Sequence, residues 1–279
     1  MSRNNSPPPI PLSIEVCVDS VRSALNAVRG GADRLEVCQN LGVGGGTTPS
    51  LGLVKAIKKS VDVPLMVMVR PRTGDFLYDE EEIQVMLEDI RVFKQHRVHG
   101  VVLGALKPDG RVDVEVAKRL VDEALPLQVC FHRAFDMTRD PAEALADVMN
   151  IGGISRILTS GHGPTVPESL GTLELLFNRI QELHDDLPWA LSILPGSGIN
   201  ADTLGPILDT LLPLGMRELH LSGGGWEESG MEPERRRQGF GMGVGESEWN
   251  VWVTSEAKVR AVRRFLDAVW IEYSRHEPT

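Results

Sequence analysis

The stretch Leu65–Tyr78, LMVMVRPRTGDFLY, constrains the fold of this chain more than any other. Leu65, Met66, Val67, Met68 and Val69 form an unbroken apolar run of strand length, the pattern of a strand buried on both faces in a parallel sheet covered by helices. Arg70, Pro71 and Arg72 follow at once, then Gly74 and Asp75. In α/β folds the C-terminal end of a parallel strand is where ligands bind. Two arginines and an aspartate there point to chemistry at the rim rather than to packing.

The same grammar recurs along the chain. Strands are predicted at Ser13–Val18, Arg34–Cys38, Leu65–Arg70, Gly100–Leu103, Leu127–His132, Arg156–Thr159, Ala190–Leu194 and Glu218–Leu221. Between them lie amphipathic segments. In Ser20–Arg29, Val21, Ala24, Leu25 and Val28 keep helical spacing, and Glu80–Phe93 and Asp113–Ala124 behave alike. Asp140 before Pro141 reads as an N-cap with proline at the first helical position, opening a helix over Ala142–Met149. Eight strand-helix units in a chain of 279 residues predict a single-domain α/β fold, a (β/α)8 TIM-barrel-like barrel. A doubly wound open sheet fits less well, because no dinucleotide fingerprint opens the first helix. The barrel domain is expected over 13–272, with a disordered leader over 1–12 and a tail over 273–279. Gly42–Ser50 and Gly223–Trp252 read as long irregular loops.

Composition removes several function classes. A formal net charge of −10 argues against nucleic acid or an anionic membrane surface as partner. No apolar run approaches the roughly 20 residues of a membrane helix, and the N-terminus lacks the apolar core of a signal peptide. Three cysteines are too few and too odd for a disulfide framework, and they suit a reducing, cytoplasmic compartment, with the nucleus also open.

Strands alternate faces, so Glu15 shares a face with Cys17, and Glu36 with Cys38. The cysteines read equally as small core residues. The glutamates do not, because an inward carboxylate must be paired, and Arg70 or Arg72 is the expected partner. That pairing serves a structural ion network as well as it serves an active site. His132 ends the fifth strand at the rim, followed by Arg133 and Asp136, and it could act as a general base, as a metal ligand or as an orienting group for Asp136 or Glu36. His220 and Ser222 repeat that geometry on the eighth strand. Gly196, Ser197 and Gly198 after strand seven, with Ser222 and Gly223 after strand eight, occupy the loops through which barrels bind phosphate by backbone amides.

The combination Glu15-Val16-Cys17-Val18-Asp19-Ser20, Gly30-Gly31-Ala32-Asp33-Arg34, Gly45-Gly46-Thr47-Thr48-Pro49-Ser50, Arg70-Pro71-Arg72 with Gly74-Asp75-Phe76, and His132-Arg133-Ala134-Phe135-Asp136 resembles the CutC copper homeostasis family from about Ile14 to Ala268. The resemblance implies a TIM-barrel-like fold, an intracellular protein, homo-oligomerisation as a dimer or tetramer, and copper handling. It further implies that Cys17 and Cys38 match the two strand-end cysteines associated with copper in animal members. Those members carry a cysteine after the strand-eight histidine, where this chain has Leu221. Cys130 stands where the family has threonine or a similar small residue, and Pro195-Gly196-Ser197-Gly198-Ile199 replaces a Pro-Gly-Gly-Gly-Ile pattern.

Cu(I) prefers thiolate and thioether donors, and neighbouring strands lie roughly 5 Å apart. Cys17 and Cys38 could therefore approach one ion if the stagger of the barrel aligns them, and the resemblance makes them the expected metal ligands and Cu(I) the expected cofactor. Met66 and Met68 are nearer soft donors than Cys130, which comes from across the barrel. The rival expectation is a lyase, isomerase or hydrolase acting on a small phosphorylated or carboxylated substrate. There Glu15, Glu36, Arg70, His132 and Asp136 would be catalytic, and Arg72, Gly196, Ser197, Gly198, Ser222 and Gly223 would bind the anion.

Overall fold

A computed structural model of the chain describes residues 12–183, 190–237, 239–240, 243 and 245–276. Eight strands run parallel: β1 Ser13–Val18, β2 Arg34–Val37, β3 Leu65–Met68, β4 Gly100–Leu103, β5 Gln128–Phe131, β6 Arg156–Thr159, β7 Ser192–Pro195 and β8 Glu218–Leu221. They follow the order β7-β6-β5-β4-β3-β2-β1-β8. A parallel bridge from Gly196 to His220 brings the two edge strands together, so the sheet is a nearly closed barrel. The helices are α1 Val21–Gly30, α2 Leu41–Gly44, α3 Leu51–Ser60, α4 Glu80–Gln95, α5 Val114–Ala124, α6 Pro141–Ile151, α7 Leu170–Leu183, α8 Leu204–Leu211 and α9 Glu256–His276.

Local chemistry starts these helices where the sequence signals it. Asp79 accepts from Glu82 N and Glu82 answers the cap backbone, a complete capping box before α4. Asp140 caps α6 with Pro141 at its first position, as expected. Ser20, Ser50 and Asp113 cap α1, α3 and α5 through the amide three residues on.

The core has two parts. Helices and strands bury a large apolar shell that includes Ile14, Val16, Leu35, Val37, Val67, Val101, Phe131 and Ile157. Inside the barrel, the alternate positions Cys17, Cys38, Met66, Met68, Val102, Cys130, Leu158 and Leu194 pack on one another. All three cysteines and both strand-three methionines therefore meet in one cluster, Cys130 included.

The strands that carry rim residues are slightly shorter than expected. Cys38, Arg70 and His132 fall just beyond β2, β3 and β5. Gly223–Trp252 is not wholly irregular: β9 Gly224–Glu227 and β10 Val251–Thr254 form an antiparallel hairpin, with Trp226 opposite Trp252. Their rings meet edge to face at 5.4 Å, an arrangement that adds to area burial. The leader expected over 1–12 lies outside the described residues except for Leu12, which is buried. Helix α9 continues to His276, past the 272 boundary expected for the domain, and 277–279 lie outside the described residues. Among the described residues, no helix is long and apolar enough to cross a membrane.

Candidate functional site at the mouth of the barrel

Register decides which side chains meet. Glu15 lies opposite Arg34 on β2 and His220 on β8, and Cys17 lies opposite Glu36. Arg34 reaches between two carboxylates, donating from Nε to Glu15 and from Nη2 to Glu218 Oε2 at 2.6 Å. Arg156 Nε donates to both oxygens of Glu218, to Oε2 at 3.0 Å and to Oε1 at 3.2 Å, and Ser192 Oγ donates to Oε1 at 2.6 Å. A buried ion network thus fills the N-terminal half of the barrel interior. Its far end touches the mouth, because Glu15 Oε1 lies 2.8 Å from His220 Nδ1.

Two further side chains, Cys17 and Glu36, complete the junction with His220. Cys17, Glu36 and His220 are all buried, and one ligand atom from each lies within 4.8 Å of the others. His220 Nε2 faces Glu36 Oε2 at 3.8 Å, and the Cys17 thiol, in the same group, donates to Leu221 O at 3.8 Å. Burial alone would raise the Glu15 carboxyl, but the charges of Arg34 and His220 outweigh it and hold it at about 2. Burial raises the Glu36 carboxyl and the Cys17 thiol. Burial opposes charge on His220 as well, yet Cys17, Glu36 and Glu15 around it carry its proton affinity well above the ordinary value.

Cys38 occupies a different position. It is fully buried, donates to Glu36 Oε2 at 3.4 Å, and has its thiol raised well above the ordinary range by burial and by Glu36. It does not belong to the three-ligand group, whereas Cys17 both belongs to it and lines the cavity above it. Cys130 turns its thiol to Phe131 O at 3.8 Å.

That cavity measures about 720 Å³ and is walled by Cys17, Glu36, Met68, Arg70, Phe76 and His132 on the side of the early strands. Ser197 and Gly198 after β7, Ser222 and Gly223 after β8, and Lys258 of α9 line the other side. The expected partnership of Arg70 with the glutamates is not formed. Arg70 spends Nη1 on Gly44 O and Gly46 O, at 2.8 and 3.0 Å, and Nη2 on Gly74 O at 2.9 Å. It therefore ties down the loops after β2 and β3, and Arg34 takes the carboxylate instead. Arg72 points away from the cavity, to Glu82 at 2.5 Å and Asp75 at 2.9 Å. Asp136 is likewise outside the cavity lining, held by Arg133 at 2.7 Å and by Thr159 and Ser160. His132 does not orient it: Ala134 N donates to His132 Nδ1 at 3.2 Å. The close approach is possible because residue 104 is glycine, where a Cβ would stand 2.7 Å from that nitrogen. Gly196 is pressed on Leu158 at the barrel seam rather than facing the cavity.

Sequence reasoning passed over Arg34, Arg156, Glu218 and Lys258. The first three share inward parity with Glu36, Leu158 and His220, a signal that was present in the strand pattern. Lys258 comes from α9 and donates to Gly224 O at 2.9 Å, a placement that no local motif encodes.

Comparison with known proteins agrees with this architecture. The CutC family profile matches residues 12–225. Two copper homeostasis protein cutC homologs are 42% identical to this chain. The one from Mus musculus aligns over 258 residues, 92% of this chain and 90% of its own length. The one from Homo sapiens aligns over 249 residues, 89% and 87% respectively. A solved structure from Streptococcus agalactiae that carries the CutC designation superposes with a TM-score of 0.67 at 26% identity, covering 76% of this chain and 98% of that one. The chain belongs to the CutC family.

Proposed function

We propose that this protein binds copper as Cu(I) at the barrel mouth, with the Cys17 thiolate and His220 Nε2 as ligands and the Glu36 carboxylate beside them. The observation that carries the proposal is the Glu15–His220–Cys17 alignment. Glu15 holds Nδ1 of the imidazole, which turns Nε2 toward Cys17 and Glu36. A carboxylate on the far nitrogen is the usual support of a metal-binding histidine, fixing its tautomer and orientation. Thiolate and imidazole are donors that Cu(I) accepts at low coordination number. The copper homeostasis naming of the relatives from mouse and human points the same way. Three free, buried cysteines support a reducing compartment such as the cytoplasm. Titration of the reduced, metal-free protein with Cu(I) against a competing chelator is the test. About one ion per chain is expected, with Cys17→Ser lowering affinity on the order of a hundredfold or more, beyond what loss of a supporting residue costs. Cys38→Ser should stay within about tenfold. Unchanged affinity in Cys17→Ser refutes the site.

A second reading, an enzyme acting on a small anionic substrate, is favoured by the cavity itself. Its volume of about 720 Å³ falls in the range of small-molecule sites, larger than a bare ion needs. Glu36, Arg70 and His132 line it with the Ser197–Gly198 and Ser222–Gly223 loops. A turnover screen with small phosphorylated and carboxylated compounds tests this, and no conversion of any of them would remove it.

A further inference from the structure

Buried polar atoms in native proteins nearly always find a partner. Glu36 Oε1, Arg70 Nε and His132 Nε2 do not find one within the chain, and their residues line one cavity. All three side chains are more than nine-tenths buried. Trp252 Nε1, also without a partner, packs against Gly224 of the hairpin.

The donor character of two of these atoms follows from their neighbours. Arg70 is immobilised by the three backbone carbonyls that take Nη1 and Nη2, so Nε is the guanidinium nitrogen left without a partner. His132 accepts the Ala134 amide at Nδ1, which puts the proton of the neutral ring on Nε2. Burial and the charge of Arg70 push His132 down to about 3, so the ring is neutral at ordinary pH. Both groups pack on Phe76: Arg70 Cζ lies 4.9 Å from the ring centroid, and the His132 ring lies 4.9 Å away, tilted by 52°. Two unpartnered N–H donors, on residues that line the same cavity, are thus held beside Phe76 before any ligand arrives.

We propose that Arg70 Nε and His132 Nε2 together recognise a small carboxylate-bearing ligand bound in the mouth of the barrel. The inference rests on the second reading above and names the group that the substrate must carry. One fixed positive charge and one neutral donor match a monoanion. A dianionic phosphate suits the wall less well, because the buried carboxyl of Glu36 lines the same cavity, the charge of Arg133 is already met by Asp136 at 2.7 Å, and Lys258, a further cation of the lining, is exposed to solvent and turned to Gly224 O at 2.9 Å. The site uses neither Cys17 nor His220, so it stands or falls separately from copper.

The test is a titration of the reduced, metal-free protein with glycolate, pyruvate and inorganic phosphate, followed by the 15N resonances of the His132 ring. Glycolate or pyruvate should move the protonated Nε2 signal saturably and more strongly than phosphate. His132→Gln, which keeps a side-chain donor, should bind within about threefold of the native protein. His132→Phe should bind about tenfold more weakly or worse, the loss of a hydrogen bond to a charged group. If His132→Phe does not fold, the native ring resonances decide the matter alone. A saturable shift with phosphate but not with the carboxylates overturns the carboxylate assignment and leaves an anion-binding mouth. No shift with any of the three overturns both the ligand site and the anionic-substrate reading on which it rests.

Discussion

Replacing Arg34 by methionine removes the one cation that Glu15 and Glu218 share. The side chain is of comparable reach, so the change isolates charge and hydrogen bonding from volume. Glu218 keeps Arg156 and Ser192, and Glu15 keeps His220. The loss is therefore partial, at the lower end of the 3–5 kcal/mol that breaking a buried pair costs. The Glu15 carboxyl is consistent with that size: it is held at about 2 against an ordinary 4.5, a net effect of roughly 3.5 kcal/mol at about 1.4 kcal/mol per pH unit, which Arg34 shares with His220 and burial opposes. Because the folded value is the lower one, this contribution is complete above pH 4.5 and fades as pH falls from 4.5 toward 2. Equilibrium unfolding in urea should therefore show Arg34→Met about 3 kcal/mol less stable at pH 7. The gap should narrow steadily below pH 4.5. A deficit under about 1 kcal/mol at pH 7, the scale of a surface pair, or a gap that widens in acid, would refute the reasoning.

Two further outcomes follow from the same geometry. Metal ligands must lose their protons, and burial raises the Cys17 thiol above 9.0, so apparent Cu(I) affinity should climb at least about tenfold per pH unit between roughly pH 6 and 8; a flat profile in competition titrations would exclude a Cys17 thiolate. Gly104→Ala would force a Cβ to within 2.7 Å of His132 Nδ1, which should cost about 1–3 kcal/mol in thermal or urea unfolding, and wild-type stability would show that the His132 ring is not clamped there.

The barrel was legible because its strands are buried on both faces. Apolar runs such as Leu65–Val69, of strand length and closed by Arg70-Pro71, read as strands without any alternation, and a cap such as Asp140 acts through the few residues next to it. Rim positions were legible too, since Cys17, Glu36, His132 and His220 follow from counting along each strand. Who meets whom was not. Arg70 is the cation nearest a strand end in the sequence, but the register of β1 on β2 hands Glu15 to Arg34, while three loop carbonyls claim Arg70. The two cysteines look equivalent at the ends of similar strands. In space, Cys17 opens onto the cavity beside His220, and Cys38 lies in the packed interior against Glu36. Sequence parity gives a side chain its face; only the stagger of the barrel gives it a neighbour.

The central claim is that copper is held by one thiolate and one imidazole, Cys17 and His220, rather than by a pair of thiolates. X-ray absorption on the Cu(I)-loaded protein reads the ligand set directly. A first shell of one sulfur and one nitrogen, with the sulfur lost in Cys17→Ser and retained in Cys38→Ser, is the predicted result. A shell of two sulfurs with no nitrogen, lost equally in either variant, would contradict it.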